Sequence, residues 1–300
     1  MVNVLAALEG RGHKGAVVSV RRIEELRQEL EALLRKGSIK LALFRERLTG
    51  FNFTPPRRLP KAESLIVIAV PQPEVLVYFQ WKGKHHSIIL PPTYLLYPDR
   101  DIETFLEPLL AEDSYWLGKA SLPLKSLAVH SGLGEYGRNN VCYVSGMGSY
   151  HRLMAYYSNM PCREEFWHEH RIMNSCLNCQ GCISACPAGA ISKDRYLIRA
   201  ERCLTYLNER RGTFPSWLDP SSHHCLMGCM RCQRCCPSNH AHIDWVEDRG
   251  LFEEEETELI LKGAVATTIP PLLKKKLEEL DLMNDYPLLS RNLRALLRDE

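Results

Sequence analysis

The chain has 300 residues, of which 45% are hydrophobic and 25% charged, a globular balance that excludes wholesale disorder and fibrous repeats. A formal net charge of +2 provides no strong global field, so any nucleic-acid contact would need a local basic patch. No window approaches the ~18 consecutive apolar residues of a membrane span. Glu9 and Arg11 interrupt the N-terminal apolar stretch, so neither a membrane partner nor secretion is expected and the chain reads as cytoplasmic. In that reducing setting twelve cysteines point to metal or cofactor ligands before disulfides.

From the N-terminus, Ser19 precedes Ile23, Leu26, Leu30 and Leu33, spaced three and four apart up to Gly37, which predicts an amphipathic helix. Residues 52–63, with Pro55, Pro56 and Pro60, read as a linker. The continuous apolar run from Ser64 to Val70 suits a strand buried on both faces of an α/β sheet. Short strands at 76–80 and 87–90 flank Lys82-Gly83-Lys84 as a hairpin, with His85 and His86 beside an exposed turn. Helical spacing follows over 101–112, capped by Asp99 or Asp101, and a short helix opens at Pro123 with Leu124, Leu127 and Ala128 on one face.

That helix stops at Gly132, where Gly132-Leu133-Gly134-Glu135-Tyr136-Gly137-Arg138-Asn139 formally contains G-x-G-x-x-G. A dinucleotide fold needs a strand before the glycines, a helix after them and an acid about 20 residues on; here the order is reversed and the acid is missing. What remains is a backbone able to turn tightly, either as a simple turn or as a loop facing a cofactor. Segments at 141–145 and 150–157 follow as strands, with Cys142 buried among apolar residues.

The densest chemistry lies in Cys176, Cys179, Cys182 and Cys186-Pro187, the C-x2-C-x2-C-x3-C-P spacing of a ferredoxin loop. Three thiolates of such a loop hold one iron–sulfur cube and the cysteine before proline crosses to a second. Cys203, Cys229, Cys232 and Cys236-Pro237 supply the partner set. The spacing therefore assigns Cys176, Cys179, Cys182 and Cys236 to cluster 1, and Cys186, Cys203, Cys229 and Cys232 to cluster 2. Cys225 is the alternative to Cys203. Cys235 competes with Cys236, which the following Pro237 favours; Cys162, Cys225 and Cys235 are left as non-ligands, and His223 and His224 read as surface residues. Zinc fits less well, because structural zinc prefers paired C-x2-C knuckles separated by a longer span.

These motifs together resemble epoxyqueuosine reductase and its relatives. The likeness runs through Pro123-Leu124-Lys125, the 132–139 glycine loop, Gly148-Ser149, Asn159-Met160-Pro161, the ferredoxin loop, Arg202-Cys203-Leu204-Thr205 and Cys229 to Asn239, covering roughly residues 64 to 245. It implies an α+β chain with three parts: an N-terminal α/β, nitroreductase-like, corrinoid-binding domain (1–165), a ferredoxin-like domain with two 4Fe-4S clusters (166–245) and a short helical tail (246–300). It further implies a cobalamin held near Gly132, Gly134, Gly137, Arg138, Asn139 and Thr205, and clusters that reduce its cobalt. An external electron donor would feed them, and the reaction would remove oxygen from the epoxide of a modified tRNA base.

The chain departs from the family at its general acid, whose position is Ala120 here; Tyr115, Glu135 and Tyr136 are the substitutes at hand. The tail is short, reads as three helices beginning at Glu253 to Glu256, and carries the basic run Lys274-Lys275-Lys276. The main expectation is an oxidoreductase, and the alternative is an electron-transfer protein that serves a partner without substrate chemistry of its own.

Overall fold

In the computed structural model, the described residues are 3–56, 61–163, 166–195, 197–263 and 268–297. Residues 57–60 of the expected linker lie outside them, as does Arg298, up to which the sequence predicts a last helix from Tyr286. The chain divides into two compact units, one of Met1–Pro71 with Tyr97–Cys179 and one of Gln72–Leu96 with Gln180–Glu300.

The first unit is built on a four-stranded sheet in the order Lys14–Ser19, Ser64–Pro71, His151–Ser158, Gly118–Lys119. All three pairings are antiparallel. The run from Ser64 to Val70 is buried at every residue, as its lack of polar alternation requires. Its neighbours are nevertheless antiparallel, so the continuous apolar run does not mark a parallel α/β sheet; helices cover an antiparallel one instead. Ile66, Ile68 and Val70 point toward the helices Val4–Glu9 and Tyr97–Ala111, where Leu8, Ile102, Leu106 and Leu110 complete a core. Each such side chain contributes about 1.5–3 kcal/mol on full burial.

The helix Leu124–His130 packs against the two central strands, with Leu127, Ala128 and Val129 buried. Pro123 stands at its N-cap, and Gly132 at φ +74° turns the chain away after it. The amphipathic helix is Ile23–Arg35, preceded by a 3-10 turn whose N-cap is Ser19. Asp99 is not a cap. It lies in the first turn of Tyr97–Ala111, buried, with Lys119 and Arg152 as its ion-pair partners.

The second unit has a three-stranded sheet in the order Lys84–Leu90, Glu74–Trp81, Val246–Phe252. Lys82 and Gly83, at φ 50° and 72°, form the two-residue turn of the hairpin, which matches the right-handed strand twist. Val246–Phe252, ahead of the tail's helices, is a strand that the sequence reading did not assign. It runs parallel to Glu74–Trp81, and Phe252 stacks on Phe79 with ring centroids 4.6 Å apart. Its exposed charges gave it no alternating apolar signature; the buried Phe252 is what anchors it. Helices Glu254–Lys262, Pro271–Glu279 and Tyr286–Leu296 follow, the first opened by a Glu253/Glu256 capping box and closed by Gly263 at φ 67°.

Candidate cluster and cofactor sites

Two short helices, Gly181–Ala185 and Arg231–Arg234, pack against one another in the second unit and carry Cys182 and Cys232, with Cys186 and Cys236 just past their ends. The connection between them is held by a small core of Ala188, Leu204, Leu207 and Leu218, against which Cys229 packs. The Cys186 sulfur accepts the Ala190 N–H at 3.2 Å. Burial raises the Cys203 thiol, which receives hydrogen bonds from the backbone of Thr205 and Tyr206 and from the Thr205 hydroxyl, with Cys186 close by. Burial likewise pushes the Cys229 thiol up to about 12, and the thiols of Cys203 and Cys186 add to the effect. Three thiols from distant parts of the sequence thus lie close enough to act on one another electrostatically. A metal that binds them must displace their protons, so loading depends on pH.

Cys225 is buried in the core and bridged to Ile89; burial raises its thiol, and nearby Cys229 raises it further. The Cys235 sulfur donates to the Cys232 carbonyl at 3.6 Å. His223 and His224 are not surface residues. His223 is buried against the Phe214 ring at 4.3 Å. Burial lowers the His224 pKa, and the neutral ring donates from Nδ1 to the Ser222 carbonyl while Nε2 accepts the Met230 N–H at 3.2 Å. The ring is spent on fixing the backbone beside Cys229.

In the first unit, Cys176 ends the 3-10 turn Asn174–Cys176 and is buried, while Cys179 is half-buried. Arg138 lies against this segment. Its backbone N–H donates to the Cys176 sulfur at 3.5 Å and its Nη2 to the Cys176 carbonyl at 2.8 Å. Its Nε is buried with no partner among the described residues. Asn139 is turned inward, donating to the Tyr143 hydroxyl at 2.9 Å and accepting the Val141 N–H. The loop glycines answer to close packing: a Cβ at Gly134 would stand 2.6 Å from the Cys142 sulfur, at Gly137 2.5 Å from the Tyr143 ring and at Gly132 2.6 Å from Phe166. Burial pushes the Cys142 thiol up to about 12, which keeps it inert.

Ala120 is buried, and its N–H bonds the Ala155 carbonyl. Tyr115 packs on the helix 97–111 core, Glu135 is exposed, and the Tyr136 phenol is buried, its pKa raised by that burial. Four residues that sequence spacing did not flag meet nearby: Glu29, Ser126, His130 and His170. Only Ser126 and His130, four apart on one helix, had a local signal. The basic run is largely neutralised, since Lys274, Lys275 and Lys276 each pair with a glutamate and Lys276 also donates to the Leu251 carbonyl.

Residues 175–239 match the family model of a 4Fe-4S double cluster binding domain. The chain is 24% identical over 278 residues to an epoxyqueuosine reductase of Staphylococcus aureus, an alignment covering 85% of this chain and 66% of that one. It spans a little under two thirds of that relative's length and 53% of another's. A solved epoxyqueuosine reductase from Streptococcus thermophilus superposes with a TM-score of 0.66 at 18% identity, over 99% of this chain and 81% of that one. A second, solved with an epoxyqueuosine-modified tRNA-Tyr stem loop, gives 0.64 at 20% identity over 95% and 76%. The chain is therefore similar to epoxyqueuosine reductases in sequence over most of its length. It shares their mixed helix and strand fold, with a double 4Fe-4S domain toward the C-terminus. Among the described residues no helix is long and apolar enough to cross a membrane.

Proposed function

We propose that this relative of the epoxyqueuosine reductases is an iron–sulfur oxidoreductase whose two clusters pass electrons to a corrinoid, with an epoxide-bearing modified tRNA as substrate. The observation that carries the reading is the meeting of Cys186, Cys203 and Cys229 around the small core of the second unit. It is what the cluster 2 half of the crossed ligand scheme needs, with Cys186, Cys203, Cys229 and Cys232 on that cube; Cys176, Cys179, Cys182 and Cys236 are proposed for the other from their spacing. Thiolate sets of this kind fit 4Fe-4S clusters, which move single electrons and do no bond chemistry alone.

The division of labour we propose follows 1–165 for the corrinoid, 166–245 for the clusters and 246–300 as a supporting tail. The fit to a corrinoid rests on the buried, unpartnered Nε of Arg138, a donor suited to the amide groups that fringe such a ring. The glycines of the loop add no open cradle, because protein atoms fill the space a Cβ would take. Thr205 serves the cluster side through its hydrogen bond to Cys203. A bound corrinoid would supply a strongly reducing cobalt centre. This chain's own residues would hold the clusters, keep water from Cys176 and donate from Arg138.

Ala120 favours the second reading, an electron carrier that serves a partner, since a positioned acid contributes typically 10²–10⁴-fold to proton transfer. The experiment that tests the proposal is one anaerobic preparation, analysed for metal and titrated with cobalamin. Two complete cubes give about eight irons per chain. Zinc in place of iron overturns both redox readings, and iron without cobalamin binding leaves the carrier. Conversion of epoxyqueuosine-containing tRNA then tests the substrate. Cys203→Ser is expected to lose cluster 2 while Cys225→Ser keeps it; the reverse pattern overturns the ligand scheme.

A further inference from the structure

In the first unit, three elements bring a carboxylate and two imidazoles together. Glu29 comes from the helix Ile23–Arg35, and Ser126 and His130 come one turn apart from Leu124–His130. His170 comes from an extended segment pinned by the His168 N–H to His130 carbonyl bond and by the bridge between Tyr136 and Ile172. One carboxylate oxygen of Glu29 lies 3.1 Å from His130 Nε2 and the other 2.9 Å from His170 Nδ1. The two rings stack at 3.9 Å, and Trp167 covers the His130 ring at 4.6 Å. The side chains are 14%, 28% and 19% exposed for His130, Glu29 and His170, so a small ion could reach them from solvent.

The hydrogens decide what holds this cluster together. Five close contacts each need a hydrogen or a cation: His130 Nδ1 to the His168 carbonyl, His130 Nε2 to Glu29, His170 Nδ1 to Glu29, Ser126 Oγ to Glu29 at 3.0 Å, and Ser126 Oγ to His170 Nε2 at 2.9 Å. Two neutral imidazoles and one hydroxyl carry one hydrogen apiece, too few for all five. Burial alone would lower the His130 pKa, but Glu29, the His168 carbonyl and Glu25 outweigh it and raise it, so one ring can supply a fourth hydrogen; the fifth would need a second imidazolium stacked on the first, and like charges so close repel.

A divalent cation at the shared centre removes the shortage. His130 then donates Nδ1–H to the His168 carbonyl and ligates through Nε2. His170 donates Nε2–H to the Ser126 hydroxyl and ligates through Nδ1. Ser126 gives its one proton to Glu29 and accepts from His170. Each ring's second nitrogen is thereby fixed by a backbone carbonyl or a hydroxyl, the outer-shell pattern that metal-ligating histidines use.

We infer that Glu29, His130 and His170 form a binding site for a borderline divalent cation of the zinc class, independent of the cysteine clusters. Three ligands of this type leave a coordination position open to water or an exogenous ligand.

The test uses the full chain with its cysteines as they exist, and Zn²⁺ as the probe. Wild type is expected to bind one equivalent more than the Glu29→Gln and His170→Asn variants, so that zinc captured by cysteines cancels in the difference. Ser126→Ala, which touches only the outer shell, is expected to weaken that equivalent about 10–100-fold. Histidine ring nitrogen NMR shifts of His130 and His170 should move on adding Zn²⁺. Unchanged far-UV circular dichroism of each variant establishes that it folds, and should Glu29→Gln fail this check, the wild-type NMR titration decides alone. Equal zinc binding by wild type and variants, or two rings that stay doubly protonated near pH 7 with Zn²⁺ present, would overturn the site.

Discussion

The backbone N–H of Arg138 points at the sulfur of Cys176 from 3.5 Å, while its guanidinium holds the carbonyl of the same residue. With Cys176 as the cluster ligand proposed above, that donor and positive charge would stabilise the more negative, reduced state. Arg138→Ala keeps the backbone donor and removes the charge. A loss of about 1 kcal/mol corresponds to roughly 40 mV for one electron, so the cluster is expected to become harder to reduce by about that amount. Anaerobic redox titration of the variant against wild type measures it.

Glu74 is fully buried and receives Arg234 in two-pronged fashion, at 2.7 Å to Nη2 and 3.0 Å to Nε. The pair ties the hairpin to the helix that carries Cys232. Removing one partner of a buried pair leaves the other uncompensated and costs about 3–5 kcal/mol; because Arg234 is 43% exposed, water offsets part of that. Glu74→Gln is expected to lower stability by about 2 kcal/mol and to release iron from the cysteine module sooner in chelator-challenge assays.

Asp99 offers a pH test. Burial alone would raise its carboxyl, but hydrogen bonds from Arg152 and Lys119 outweigh burial and hold its pKa below the ordinary 3.8. A carboxylate depressed in the folded state stabilises fully above its unfolded pKa and loses that contribution as pH falls through the folded value. Asp99→Asn is therefore expected to cost about 3 kcal/mol near neutrality, with the gap to wild type closing below pH 3.8. Urea unfolding at several pH values follows it; a gap that widens toward acid would contradict the assignment.

The last helix reaches back into the cysteine module. Asn292 donates to the Asn208 and Leu226 carbonyls at 3.0 and 2.9 Å, and Arg291 to the carbonyls of Leu207, Asn208, Arg210 and Gly212. Asn292 is buried, so Asn292→Leu strands the Leu226 carbonyl, while Asn208 keeps its bond from Arg291, at about 1–3 kcal/mol. Lower thermal stability and faster loss of the 400 nm cluster absorbance are the expected readouts.

Local patterns made much of this legible. Helical periodicity found Ile23–Arg35, the Lys82-Gly83 turn found its hairpin, and proline after Cys186 and Cys236 flagged the ferredoxin module. What stayed hidden depends on partners distant in sequence. A buried run such as Ser64 to Val70 does not say whether its neighbours run parallel or antiparallel. Val246–Phe252 is a strand because Phe79 and the hairpin await it, despite its exposed Glu, Asp and Arg. His223 reads as polar surface until the Phe214 ring is seen against it. Glu29 and His170 carry no mark in the sequence of the company they keep.

The parallel pairing of Val246–Phe252 with Glu74–Trp81 also sets an order of events during synthesis. The hairpin leaves the ribosome long before its third strand exists; at 5–20 residues per second, the wait is roughly 10–30 s. Every cysteine from Cys176 to Cys236 emerges within that interval. The whole cysteine segment is therefore synthesised while the edge of Glu74–Trp81 that Val246–Phe252 will cover is still open, and the sheet is completed only when Phe252 reaches Phe79.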